Sequence, residues 1–323
     1  MRKLLLSTTA LAAAATLSAN AALADVAISG AFEWTYNSRS SNLVALDGTT
    51  FGTGSEMAIT FTNKTDSGLD ITYRVDLDTD GGAIGNDETS LAIAGGFGKI
   101  ILGYDDHAAD AYTIDESDLI KEDAAPAASS SSISTGTATP TDNDENKIAY
   151  HLPAMGGLTA GISHTDGGEE GGNDTTSMGA KYAMEAAGAS ITIGMNTTTQ
   201  ENSTQDIDQE SMGIKIVSGD ISVIFASGQR ESNDEEIDNV GAAISYSMPN
   251  GMTIGAYTAK SEDDADAGEE YSRTGVELVY PIASGLTAMI NVDDYDYKKG
   301  SDPDVATQDD SGTNSKLTIN AKF

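Results

Sequence analysis

Alternation is the dominant pattern along this 323-residue chain. In GLDITYRVDLD, Leu69, Ile71, Tyr73, Val75 and Leu77 share one parity, and Asp70, Thr72, Arg74, Asp76 and Asp78 share the other. GASITIGMN sets Ile191, Ile193 and Met195 against Thr192, Gly194 and Asn196. The last residues set Leu317, Ile319, Ala321 and Phe323 against Lys316, Thr318, Asn320 and Lys322. Period two marks a strand with one apolar and one wetted face. AAISYSM carries the pattern weakly, and MGIKIV predicts a short strand.

The connections alternate as well. Seven short turns place a glycine just before a new strand, at Gly68, Gly98, Gly157, Gly188, Gly219, Gly251 and Gly285. Between them lie longer polar segments near residues 37–50, 79–86, 105–145, 165–174, 199–209, 229–238, 260–270 and 296–314. This rhythm divides the chain into roughly sixteen strands of about 9–11 residues, each long enough to cross a bilayer when tilted. Rings end most strands that run toward a tight turn: Phe61, Tyr150, Tyr182, Tyr246, Tyr280 and finally Phe323. Rings at one level form the girdle expected at a membrane interface. The pattern predicts an all-β fold, a transmembrane antiparallel β-barrel, with termini and tight turns on one side and long loops on the other.

Composition fits that picture and excludes others. Arg2 and Lys3 precede an apolar run from Leu4 to Leu17, and Ala22-Leu23-Ala24 offers a cleavage site, so residues 1–24 read as a signal peptide and 25–323 as the barrel. Cysteine is absent, so neither disulfides nor thiol chemistry is available. The net charge of −34 speaks against nucleic acid as a partner and for cations. The three histidines, His107, His151 and His164, lack metal-ligand spacing, and no nucleophile elbow or phosphate loop appears, so no enzyme is expected.

Three segments carry a resemblance: LAIAGGFGKIILGYDDHAADAY, NKIAYHLPAMGGLTAGISH, and the closing strand that ends in Phe323. With the turn-and-loop rhythm, they make the chain resemble the general porins of the Gram-negative outer membrane, most closely the alphaproteobacterial kind. The resemblance implies a sixteen-stranded homotrimer in outer-membrane lipid and lipopolysaccharide. It also implies passive diffusion of small hydrophilic solutes and a long third loop, 105–145, folded into the lumen. Phe323 would be part of the signal read by the barrel-assembly machinery.

The candidate chemistry is electrostatic. Eight basic residues fall on the inward face of strands, namely Arg74, Lys99, Lys147, Lys181, Lys215, Arg273, Lys316 and Lys322. A charge facing lipid would cost about 2–4 kcal/mol at the midplane. Loop 105–145 carries the opposite sign, with weak helical character over 108–121. Asp105, Asp106, Asp115, Glu116, Asp118, Glu122 and Asp123 are expected to supply an acidic wall facing Arg74, Lys99, Lys147 and Lys181. Such a transverse field suits polar solutes, and the acid excess points to cation preference. No cofactor is required. Asp76, Asp78, Asp80 and Asp87 match calcium-loop spacing without flanking helices, which leaves calcium binding by acidic outer loops as an open expectation. The alternatives are a substrate-specific channel of the same fold and a secreted calcium-binding β-roll or surface protein.

Overall fold

The computed structural model describes residues 24–43, 47–79, 84–121, 145–167, 174–201, 206–232, 235–263, 268–299 and 309–323. The signal peptide, Asp80, Glu122 and Asp123 therefore lie outside the described residues, apart from Ala24. The strands are β1 (Asp25–Ser41), β2 (Gly48–Lys64), β3 (Asp70–Asp78), β4 (Gly85–Gly95), β5 (Gly98–Asp105), β6 (Glu145–His151), β7 (Leu158–Thr165) and β8 (Asp174–Ala186). They continue as β9 (Ala189–Glu201), β10 (Ile207–Ser218), β11 (Ile221–Ser232), β12 (Glu235–Ser247), β13 (Thr253–Asp263), β14 (Glu269–Ala283), β15 (Leu286–Lys299) and β16 (Asp310–Lys322). Each pairs antiparallel with its sequence neighbours, and β1 pairs with β16, so the sheet closes and has no edge. Phe323 completes the seam, donating its N–H to the Gly30 carbonyl at 2.9 Å and accepting from the Gly30 N–H at 3.3 Å.

Alternation decides which way each side chain points. Ile244 and Tyr246 are exposed on the outer face of β12, while Ala243 and Ser245 between them are buried inside. The girdle rings project outward, Tyr182 at 43%, Tyr280 at 49% and Phe323 at 78% exposure. All seven turn glycines adopt positive φ, from 58° at Gly219 to 110° at Gly98, which a side chain would resist. No helix among the described residues is long and apolar enough to cross a membrane, and the crossing is made by strands.

Four expectations change. The strands span 7 to 17 residues rather than 9–11, and β10 has 12 instead of being short. The segment near 37–50 is mostly strand, because β1 and β2 stay paired as far as Arg39 and Gly48. Beyond the apolar belt both faces are polar, so alternation fades there, yet pairing continues because every backbone N–H and C=O still needs a partner. The helical character over 108–121 resolves into two 3-10 turns, Asp110–Tyr112 and Glu116–Asp118.

Candidate functional site: the lumen and its inner strap

After Asp105 the chain turns into the barrel and runs along the inner wall as far as Lys121. Polar contacts from five strands hold this strap. Its first turn donates backbone N–H bonds from Ala108 to Ser163 Oγ (2.9 Å) and from Ala109 to Ser177 Oγ (2.8 Å). The Tyr112 hydroxyl meets His151 Nδ1 at 2.8 Å, and Asn196 Nδ2 donates to Thr113 Oγ1 at 2.9 Å. At the far end Lys121 N donates to Glu277 Oε1 at 2.9 Å, and Glu116 lies 3.7 Å from Arg273 with both side chains almost fully buried.

Apolar contacts fill the space between. Ile114 packs on Ile224 and Ala226, and Ile120 packs on Ala243 and Tyr257, with Leu119 touching both groups. Glycines on the wall make room for them. A Cβ at Gly179 would stand 2.7 Å from Tyr112 Cβ, and one at Gly213 would overlap the Ile114 carbonyl. Full burial of a side chain such as Ile114 is worth about 1.5–3 kcal/mol. The strap is thus packed like a small core inside an otherwise wetted barrel.

The strap's path sorts the charged candidates. At its root, Arg74 Nε pairs with Asp76 at 2.6 Å within the field of Glu88 and Asp105. The carboxylates of Glu88, Asp105 and Asp106 can bring one oxygen each within 4.8 Å of one another, a grouping able to hold a cation. Midway, Lys181 shares its field with Asp118, Lys215 and Asp115. Asp115 is buried and accepts from Ser117 N (3.0 Å) and Ser117 Oγ (2.5 Å), which caps the second 3-10 turn. Lys147 is buried on β6, and exposed Lys99 neighbours His151. Arg74, Lys99, Lys147 and Lys181 therefore spread over four strands along the strap's course rather than gathering into one group.

The wall across the barrel carries its own charges. Arg39 binds Asp310 at 2.5 Å and donates to the Tyr295 hydroxyl at 3.0 Å. Lys322, Glu33 and Glu56 line a recess of about 380 Å³ that also takes in Asp78 and Asp87. Asp76 turns to Arg74 instead, so three of the four residues with calcium-loop spacing divide between two places, and the segment joins two strands. The expected site includes neither Glu88 nor Glu277, and it names Arg273 only as an inward-facing base. Counting back in twos from inward Ser90 places Glu88 in the lumen, a signal the calcium spacing at Asp87 obscured.

A closed sheet with an apolar outside, a charged inside and a strap laid along its inner wall defines an outer-membrane channel. The sequence matches the model of the Gram-negative porin over residues 7–322, and the chain belongs to that family. Among solved structures it is similar to an anion-selective porin from Comamonas acidovorans, at 14% identity over 93% of this chain and 100% of that one, with a TM-score of 0.70. It is also similar to the trimer form of OmpT, an outer membrane protein of Vibrio cholerae (14%, 93% and 99%, 0.68). A mutant of the Rh. blastica porin compares at 15%, 92% and 100%, and 0.64. No curated protein matches the sequence. The chain is an outer-membrane porin, and its likeness to these structures lies in the fold.

Proposed function

We propose that the barrel is a water-filled pore for passive diffusion of small hydrophilic solutes, that it prefers cations, and that it catalyses nothing. The observation that supports this best is the grouping of Glu88, Asp105 and Asp106 at the strap root, set within a chain of net charge −34. Fixed carboxylates in a narrow passage raise the local cation concentration and repel anions. In this reading Asp105, Asp106 and Asp118 face the permeating solute. Asp115 and Glu116 instead hold the strap in place. Lys181 and Lys215 supply the positive side of the transverse field. Weak calcium binding by outer acids is compatible with it.

The same reading includes removal of residues 1–24 after export, recognition of Phe323 by the barrel-assembly machinery, contact with lipopolysaccharide, and a homotrimer. Exposed Val26, Ile28 and Phe32, with Trp34 stacked on Phe51 at 5.6 Å and Leu317 and Ile319 alongside, supply an apolar face for that trimer. Purified protein in a planar bilayer under a potassium chloride gradient should give a reversal potential of cation sign. The double change Asp105→Asn and Asp106→Asn should move it toward zero. Anion preference in the unaltered protein would overturn the proposal.

A further inference from the structure

Strand by strand, the inward charges of the wall fall into two levels. On β5, Lys99 stands six residues nearer the tight turns than Asp105, where the strap begins. At the seam, Lys322 of β16 pairs with Ala31 of β1, two residues nearer the tight turns than inward Glu33. Lys181 of β8 and Lys215 of β10 lie two residues on the tight-turn side of Gly179 and Gly213, the glycines that seat Tyr112 and Ile114. The four lysines are therefore spread over β5, β8, β10 and β16, one level below the strap.

Acids hold the upper level. Glu33 and Glu56 share a recess with Asp87, and Glu88 groups with Asp105 and Asp106. Asp87 and Glu88 are neighbours in sequence, yet both join inward groups, because the register shifts between Val75 and Leu77 on the partner strand. Such a bulge sets two residues against one and re-aims a side chain. Arg74 adds no net charge to either level, since Asp76 pairs with it at 2.6 Å.

The lysine charges are not cancelled where they stand. No ion pair among the described residues takes up Lys99, Lys181, Lys215 or Lys322. Lys181 feels Asp118 and Asp115 of the strap, an attraction across the boundary between the levels. Rim acids such as Asp25 and Glu185 lie beyond the collar, at the tight-turn mouth. Glu185 is four residues past Lys181, about 13 Å along the strand, outside the Debye length of about 10 Å at 0.1 M salt.

We propose that the pore is bipolar along its axis, with a collar of Lys99, Lys181, Lys215 and Lys322 on the tight-turn side of the acids, and that this layering makes it rectify. The proposal rests on the pore reading above and adds a direction to it. With the long-loop side positive, cations enter through the acidic level and anions through the collar. Both accumulate between the levels, and the current is larger. With that side negative, each level repels the ions that reach it first, so the boundary is depleted and the current falls.

The test records current–voltage curves of full mature protein in planar bilayers with potassium chloride at equal concentration on both sides. Orientation is read from Ser284→Cys in the tight turn between β14 and β15, where streptavidin added to the biotinylated cysteine lowers the current only from the tight-turn compartment. At 0.1 M the current should be about twofold larger with the long-loop side positive, and at 1 M, where the Debye length is about 3 Å, the ratio should approach one. Lys99→Gln, Lys181→Gln, Lys215→Gln and Lys322→Gln together should abolish the asymmetry at 0.1 M and strengthen cation preference. Asp105→Asn with Asp106→Asn should reduce the asymmetry and weaken cation preference. Lys99→Gln with Lys322→Gln, at two exposed positions, should remove about half of the asymmetry and keeps the test open if the fourfold variant does not fold. A symmetric curve at 0.1 M, the opposite polarity, or asymmetry that survives loss of the lysines would each overturn the proposal. Anion preference with the asymmetry intact would overturn the cation reading instead and support the layering.

Discussion

Gly213 shows how one missing side chain can shape a channel. The Ile114 carbonyl and Cβ occupy the space that any larger residue there would need. Ile114 cannot slide sideways along the wall, because Ile224 and Ala226 pack against it there. Gly213→Val should cost about 1–3 kcal/mol, the usual range for overpacking. The strap is held by few apolar groups, whereas the barrel is held by sixteen hydrogen-bonded seams, so the strap is the part that moves. It moves toward the axis. Single-channel conductance should therefore fall, while the heat-modifiable shift of the folded barrel on a gel persists. Unchanged conductance would mean that the strap does not set the narrowest passage.

At the scale of strands, the alternating code separates neighbours in sequence into different solvents. Ile193 and Thr192 are adjacent on β9, yet one faces outward and the other pairs in register with Lys215 on the lumenal face. Ile193→Arg should destabilise the barrel by about 2–4 kcal/mol in urea titrations from lipid vesicles. Thr192→Glu, entering water beside a lysine, should change stability by about 0.5 kcal/mol or less. The same code made inward Arg74, Lys147 and Lys181 legible from sequence, and the seven turn glycines were legible because only glycine adopts those φ angles freely. Strand ends were less legible, since outer extensions such as Arg39 and Thr313 are polar on both faces. The strap's bed was not legible at all. Gly161, Gly179, Gly194 and Gly213 come from four strands, and they form a single track only once the cross-strand register is known. For the same reason Asp115 and Glu116 read as wall acids in the sequence, while the structure buries them as an internal cap and as the partner of Arg273.

For the whole molecule, the question is whether selectivity comes from the summed field or from local binding. A net charge of −34 acts over a distance set by the surrounding salt. The Debye length is about 30 Å at 0.01 M and about 3 Å at 1 M. In dilute salt the acids on outer strand ends, such as Asp174, Glu201 and Asp238, act together on ions approaching the mouth. In concentrated salt only carboxylates within contact distance of the ion still act, and Glu88, Asp105 and Asp106 are such a group. The proposed cation preference should therefore weaken steeply between 0.01 and 1 M, approximately following the shortening of the Debye length, and level off above zero. Asp105→Asn together with Asp106→Asn should remove the high-salt remainder and leave most of the low-salt preference. Reversal potentials at several mean concentrations, with the gradient ratio held fixed, measure both parts at once. A preference that does not change with salt would place the whole effect at the strap root. One that vanishes completely at high salt would remove the strap root from the permeation path.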